Sequence, residues 1–379
     1  MNNNKEIIVF TCGDSNDLST WSNVPFLFTT TLEKKGYIVR RVDVSPNRIL
    51  NRLFNTISFL LFRILLKLRA CPEFHRTIFH RLIVYRRIKK ATRRYKDSSL
   101  NLFLTYAFYN KYSDKPNVLW CDWSDRIVIE RLNRETQWYE KKSLQHEDRV
   151  MKSVDLVFSL FPDAASQMSD YYNREILYLN RNVINNVYVG EFDIEKIIEQ
   201  KKVSNKILFV GNHRYLSAAK ELLQAYKELK EKNSNLELHV IGLTFKQLNY
   251  EGEGVFCYGY LHKDIDAERE LYYSLMISAK IVVNSARVWG GYSSTIEAMY
   301  FGTPIVVAPY KAFTMEFGED ILFGSYLKED FSLSKTISDV FNSDRYEDMC
   351  RSAHNSVKDY TWDNYIDEFL TILKTRNIL

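Results

Sequence analysis

The chain has 379 residues, 46% of them hydrophobic and 14% aromatic, and its 52 Lys/Arg against 47 Asp/Glu leave a net charge of +5. That length has room for two domains with cores of their own, and the apolar content excludes a disordered or fibrous chain. Cys12, Cys71, Cys121, Cys257 and Cys350 form no C-x-x-C pair, which argues against a disulfide framework or a cysteine zinc site and fits reduced thiols.

The N-terminus runs straight into a strand-like segment without an apolar leader, so a cytoplasmic chain is expected. Residues 6–12 read as a buried first strand. A polar loop, Gly13 to Asn23, follows, then a helix with Pro25 in its first turn and Gly36 just past its end. Residues 37–44 are the next strand. This strand–loop–helix–strand opening begins a doubly wound sheet, whose ligands sit at the carboxyl edge of the strands. Gly13, Asp14, Trp21, Ser22 and Asn23 are therefore candidates for a cleft. An ordinary loop leading into the helix is the alternative.

A basic block comes next. From Arg48 to Lys96 fourteen Lys/Arg stand against Glu73 and the adjoining Asp97, a local charge of about +12. With +5 overall, the remainder carries about −7. Arg48, Arg52, Arg63 and Lys67 share a helical pattern with Leu53, Phe54, Ile57, Leu60, Leu61, Ile64, Leu65 and Leu68. A second basic helix, 77–95, carries Arg81, Arg86, Arg87, Lys89, Lys90, Arg93 and Arg94. Neither has the ~18 uninterrupted apolar residues of a spanning helix. Clustered cations beside a large apolar face are the composition of a helix lying on an anionic bilayer, so 48–96 is expected to meet a membrane surface. The alternative is that the apolar face packs on its own domain. Nucleic acid is not expected as a partner, since no nucleic-acid-binding motif accompanies the patch.

Residues 117–121 form another strand, ending at Asp122. A carboxylate there is placed for a cleft, or to cap the next helix. A charged helix, a strand at 154–160, a helix at 162–172 and a strand at 175–179 follow, then a polar linker over 185–205. The second domain opens with a strand at 206–210 that ends in Gly211. Asn212, His213, Arg214 and Tyr215 make the turn, and a helix begins near Ser217. Strands at 236–242 and 255–258 lead to Gly259, Tyr260 and Leu261, and Asp264 or Asp266 is the expected cap of the following helix.

The stretch from Lys280 to Pro309 organises the second half. Ile281–Val283 is a strand, Gly290 and Gly291 make a turn, and Ser294-x-x-Glu297 starts a helix. Gly302 ends that helix, and Ile305–Val307 is a strand after Pro304. Strand, glycine turn and helix aim backbone N–H groups and a positive helix end at one place, which suits an anion. Glu297 has two readings, a capping box with Ser294 or a carboxylate accepting from ligand hydroxyls.

Ser285, Gly290-Gly291, Glu297-Ala298-Met299, Gly302-Thr303-Pro304 and Val306-Val307 resemble the donor-site signature of retaining glycosyltransferases of the two-lobed GT-B fold, especially family 4, the group 1 glycosyltransferases. The resemblance implies an α/β architecture of two Rossmann-like doubly wound domains facing across a cleft that closes over its substrates. The N-terminal, acceptor-side domain would span 1–190 with a crossover helix from 360–379 and a basic helical insert at 48–97. The donor-binding domain would span 200–358.

In the family the counterpart of Glu297 binds ribose, amides of the turn (here Gly290, Gly291, Tyr292 and Ser293) hold the diphosphate, and the loop at Tyr260 and Leu261 holds the base. The family's cationic clamp falls on Asn212 and Ser217, after Gly211, so Arg214 and Lys220 are the nearest substitutes. Trp289 stands where the family has its first glutamate. Asp122 resembles a polar residue facing the sugars.

The implied function is metal-independent transfer of a sugar, with retention, from UDP- or GDP-sugar to a glycan or lipid-linked acceptor in surface polysaccharide assembly. The nucleotide sugar is a co-substrate, and no cofactor is expected. The cytoplasmic protein would be peripheral on the inner face of the membrane. The alternatives are a non-catalytic scaffold of the same fold in a glycan-assembly complex, or a sugar epimerase.

Overall fold

The computed structural model describes residues 5–67, 71–104, 107–288, 291–328, 330 and 332–379. The chain divides into two compact units, Met1–Asn182 with Tyr365–Leu379, and Val183–Asn364.

In the first unit, β1 (Glu6–Thr11), β2 (Ile38–Asp43), β3 (Leu100–Leu104), β4 (Asn117–Cys121) and β5 (Leu156–Ser159) form one sheet in the order β2-β1-β3-β4-β5. Every neighbouring pair is parallel. β3 and β4 are buried at every residue, which is why they read as near-continuous apolar runs. Helices α1 (Val24–Lys34), α2 (Arg48–Ser58), α3 (Ile78–Arg94), α4 (Asp125–Arg131), α5 (Lys141–Ser153) and α6 (Pro162–Tyr172) connect the strands. The C-terminal helix, Trp362–Thr375, supplies core from Tyr365 onward. Trp120 Nε1 donates to the Tyr365 hydroxyl at 2.7 Å, and the Phe369 ring lies 5.3 Å from Phe28 and 4.8 Å from Phe158.

Three sequence expectations change in this unit. Residues 175–179 make a single bridge, Phe158 to Leu177, not a strand. α3 is a surface helix on one side only, because its Val84, Ile88 and Ala91 belong to the core of the unit. β3, which the sequence reading passed over, is the strand to which α3 crosses.

The second unit's sheet is β6 (Lys206–Val210), β7 (Glu237–Ile241), β8 (Val255–Gly259), β9 (Ile281–Asn284), β10 (Ile305–Val307) and β11 (Gly324–Tyr326), in the order β11-β10-β9-β6-β7-β8. All pairs are again parallel. Its helices are α7 (Ile194–Lys202), α8 (Leu216–Lys230), α9 (Phe245–Leu248), α10 (Asp266–Ser278), α11 (Tyr292–Tyr300), α12 (Lys311–Phe317), α13 (Leu333–Phe341) and α14 (Tyr346–Val357). Strand order reverses between β6 and β9, so the crevice for a ligand lies outside their carboxyl ends.

α7 occupies part of the expected linker, with Asp193 as its cap. Within it Lys201 is fully buried, donating to Met276 O and Ala279 O, both at 2.9 Å, and to Thr303 Oγ1 at 2.8 Å. It thereby satisfies carbonyls at the end of α10. Ile265, not Asp264 or Asp266, holds the N-cap position of α10, without a side-chain bond.

Candidate functional site

At the reversal point the turns after β6 and β9 are tied together. Ser285 Oγ donates to Glu221 Oε2 at 2.5 Å, and the Tyr215 hydroxyl faces the Gly291 amide. Gly242, in the neighbouring turn after β7, has φ 95°, and a Cβ there would stand 2.5 Å from Gly211 O, so only glycine permits this approach. Asn212 caps the turn through its side chain, which accepts from Arg214 N at 3.0 Å. Arg214 and Lys220 are exposed.

Gly291 is the N-cap of α11 at φ 62°, and no side chain among the described residues caps this helix. Its first-turn amides therefore give the helix end positive character. Ser294 Oγ turns back to Gly291 O at 2.8 Å, so the expected capping box with Glu297 does not form. Tyr292 sends its ring into an aromatic cluster with Tyr310 and Phe313, leaving its backbone for the turn. Ser293 Oγ accepts from Asn185 Nδ2 at 3.3 Å. Gly290 and Trp289 lie outside the described residues. Arg287, exposed in the same turn, is a cation that the sequence reading passed over.

Glu297 is 2% exposed, and its carboxylate is fully engaged. Lys263 Nζ donates to Oε1 at 2.7 Å and Oε2 at 3.0 Å, Tyr272 to Oε2 at 2.7 Å, and Tyr273 to Oε1 at 3.1 Å. Burial, with the Glu297 charge next in effect, pushes both tyrosine hydroxyls upward in pKa, so they stay protonated donors. Lys263 also donates to Asn185 O at 3.1 Å and stands 4.3 Å over the Tyr272 ring. Because Glu297 is the sixth residue of α11, it sits roughly 7 Å along the axis from the helix start. That is about the spacing between a nucleotide's ribose and its distal phosphate.

Lys263 belongs to the loop that follows β8. There Tyr260 is exposed with its ring 4.8 Å from His262, and Leu261 is buried.

In the first unit, the loop after β1 is strained. Trp21, Ser22 and Asn23 have φ of 43°, 53° and 70°, a run of left-handed residues without glycine. Asn23 is buried, and its Nδ2 has no partner among the described residues. Gly13, at φ 117°, donates to Asp43 Oδ1 at 3.0 Å, and Asp14 Oδ1 accepts from Asn16 N at 2.8 Å. Asp122 Oδ1 accepts from Trp123 N at 2.8 Å, and Ser124 is the cap of α4, so the capping role considered for Asp122 falls to Ser124. Nearby, Glu147 is buried, accepts from Asp125 N at 2.6 Å and from Tyr172, and burial raises its pKa to about 7.

Comparison with known proteins follows the same division. Residues 191–354 match the family model "Glycosyl transferases group 1". No curated protein matches by sequence. Among solved structures, sucrose-phosphate synthase from Thermosynechococcus elongatus superimposes with a TM-score of 0.67 at 12% identity, covering 98% of each chain. WaaG, a glycosyltransferase of lipopolysaccharide biosynthesis, gives 0.63 at 14% identity, covering 96% of this chain and 99% of its own. A variant of S. aureus TarM bound to UDP gives 0.52 at 14% identity over 76% of this chain, which spans only 58% of the TarM structure. The chain therefore has the fold of these two-sheet structures, and the part of its second unit from 191 to 354 is similar to the group 1 glycosyl transferases.

Proposed function

We propose that the protein transfers a sugar, with retention of configuration, from a nucleotide-sugar donor to a glycan or lipid-linked acceptor in surface-polysaccharide assembly. The observation that carries this reading is the start of α11, without a side-chain cap among the described residues, set at the strand-order reversal; Arg214 and Arg287 are exposed in the turns after β6 and β9, and Lys220 is exposed on α8. Negative charge grows on the diphosphate as the glycosidic bond breaks, and these cations and turn amides oppose it in the transition state. TarM was solved with UDP, which supports a uridine nucleotide as the first donor to try.

The base would lie against Tyr260 and Leu261. The ribose would reach Glu297 only by taking the place of Lys263, since the carboxylate has no acceptor position to spare. Asp122 and the strained loop at Trp21–Asn23 are the proposed acceptor-side residues, and the domain limits expected from sequence stand as part of this proposal.

A thermal-shift panel of UDP, GDP and ADP tests donor binding. One nucleoside diphosphate should raise the melting temperature, and its sugar derivative should then yield an α-linked product from an α-linked donor. No stabilisation by any of the three would count against the reading. A changed sugar with donor alone would make the protein an epimerase.

A further inference from the structure

The helix α2 continues without a break into a π-helical segment, Phe59–Leu65. The inner face is anchored. Phe54 packs on Phe74 with ring centres 5.3 Å apart, Phe62 on Tyr139 at 5.9 Å, and Ser58 is buried with its hydroxyl on Pro72 O at 2.7 Å. The outer face carries Ile49, Leu53, Ile57, Leu61 and Leu65, four residues apart, at 77%, 56%, 53%, 46% and 73% exposure. That spacing makes one stripe along the helix. Ile78, Phe79 and Leu82, at the start of α3, are exposed as well. The alternative in which the apolar residues of α2 pack on their own domain accounts for Phe54 and Phe62 and leaves the whole stripe uncovered.

Charge decides what covers it. Arg52, Lys67, Arg86, Lys90 and Arg93 have no ion pair or hydrogen-bond partner for their side chains among the described residues. The only acid from 48 to 96 is Glu73, which is engaged by His75 and Arg76. A second copy docking by a twofold axis would set these cations against themselves. No described helix is long and apolar enough to cross a membrane. An anionic bilayer supplies both an acyl boundary for the stripe and headgroup phosphates for the cations.

We infer that the face formed by α2, the π-helical segment and the first turns of α3 is a monotopic membrane-docking surface, which lies in the interface of an anionic bilayer with the Ile49–Leu65 stripe inserted. The stripe carries most of the affinity, and the unpaired cations select the lipid charge. This goes beyond the donor reading, because nothing in it depends on Glu297 or α11.

The test is co-sedimentation of the full chain with vesicles of phosphatidylcholine alone or mixed with phosphatidylglycerol. Three proteins are compared: the wild type, the triple variant Leu53→Ser, Leu61→Ser, Leu65→Ser, and the double variant Arg52→Glu, Lys90→Glu. The wild type should bind the anionic vesicles at least tenfold more tightly than the neutral ones. The triple variant should lose roughly a hundredfold of that affinity. The charge-reversal variant should lose the preference for anionic lipid. Both variants alter exposed side chains, so unchanged melting temperatures and nucleoside-diphosphate shifts certify that fold and donor site are intact. Wild-type protein that ignores both vesicle types would overturn the inference. So would a wild-type dimer that the triple variant dissociates, since the face would then be a self-interface. Neither result would touch the donor assignment.

Discussion

Replacing Glu297 by alanine would do more than remove a ribose acceptor. The change strands the Lys263 ammonium, 13% exposed, with Asn185 O and the Tyr272 and Tyr273 rings beside it, and leaves the two buried hydroxyls of Tyr272 and Tyr273 without their carboxylate acceptor. Breaking a buried ion pair by deleting one member costs roughly 3–5 kcal/mol. Each unsatisfied hydroxyl adds about 1–3 kcal/mol, partly shared because the groups rearrange together. A loss of about 5 kcal/mol should lower the unfolding temperature of the second unit by roughly 10–20 °C. Lys263→Met leaves the carboxylate with two donors and should cost less, about 2–3 kcal/mol. The double variant Lys263→Met, Glu297→Ala should cost at least about 2 kcal/mol less than the sum of its singles. Calorimetric scans and urea midpoints on the four proteins read the coupling directly. If each single change costs under about 1 kcal/mol and the two simply add, the pair is solvated in solution and the reasoning about Glu297 is wrong. The consequence for function is practical: loss of donor binding in Glu297→Ala would report unfolding, so Glu297→Gln, checked for its melting temperature, is the variant that tests the ribose contact.

Burial depresses Lys201 to about 7 from the ordinary lysine value of 10.5. The unfolded chain then holds more protons between those values, so stability falls as pH drops from about 10.5 toward 7 and levels off below. Lys201→Met should flatten that slope in urea midpoints compared at pH 7 and pH 9. His80 and His146 sit buried among Phe74, Tyr85 and Phe108, each held down to about 4 chiefly by burial. They favour the native state above pH 6.5 and withdraw that support as pH falls toward 4, by up to about 3 kcal/mol each. The acid midpoint of His80→Phe should therefore lie lower than that of the wild type. Tyr365→Phe leaves Trp120 Nε1 without its acceptor and should destabilise the first unit by about 1–3 kcal/mol, readable from Trp fluorescence during urea unfolding.

Sheet class and the position of the glycine turn before α11 were legible in the sequence because parallel strands buried on both faces leave apolar runs, and Gly291 and Gly302 mark conformations that other residues rarely adopt. What surrounds Glu297 was not legible. Lys263, Tyr272 and Tyr273 are 24 to 34 residues away in sequence and meet it only through tertiary packing, so no local spacing announces them. Arg287 was within reach, being the one cation between Lys280 and Lys311, inside the stretch already singled out. The basic block was half legible. Its cations and apolar residues were plain, but periodicity alone cannot say that Val84 and Ile88 turn inward while Leu53 and Leu61 turn out.

Amide hydrogen exchange, with and without the nucleoside diphosphate that stabilises the protein, tests the donor assignment most directly. Protection should appear in residues 211–216 and 285–297, with a smaller effect at 260–263. Binding that protects neither turn, or protects only the first unit, would contradict it.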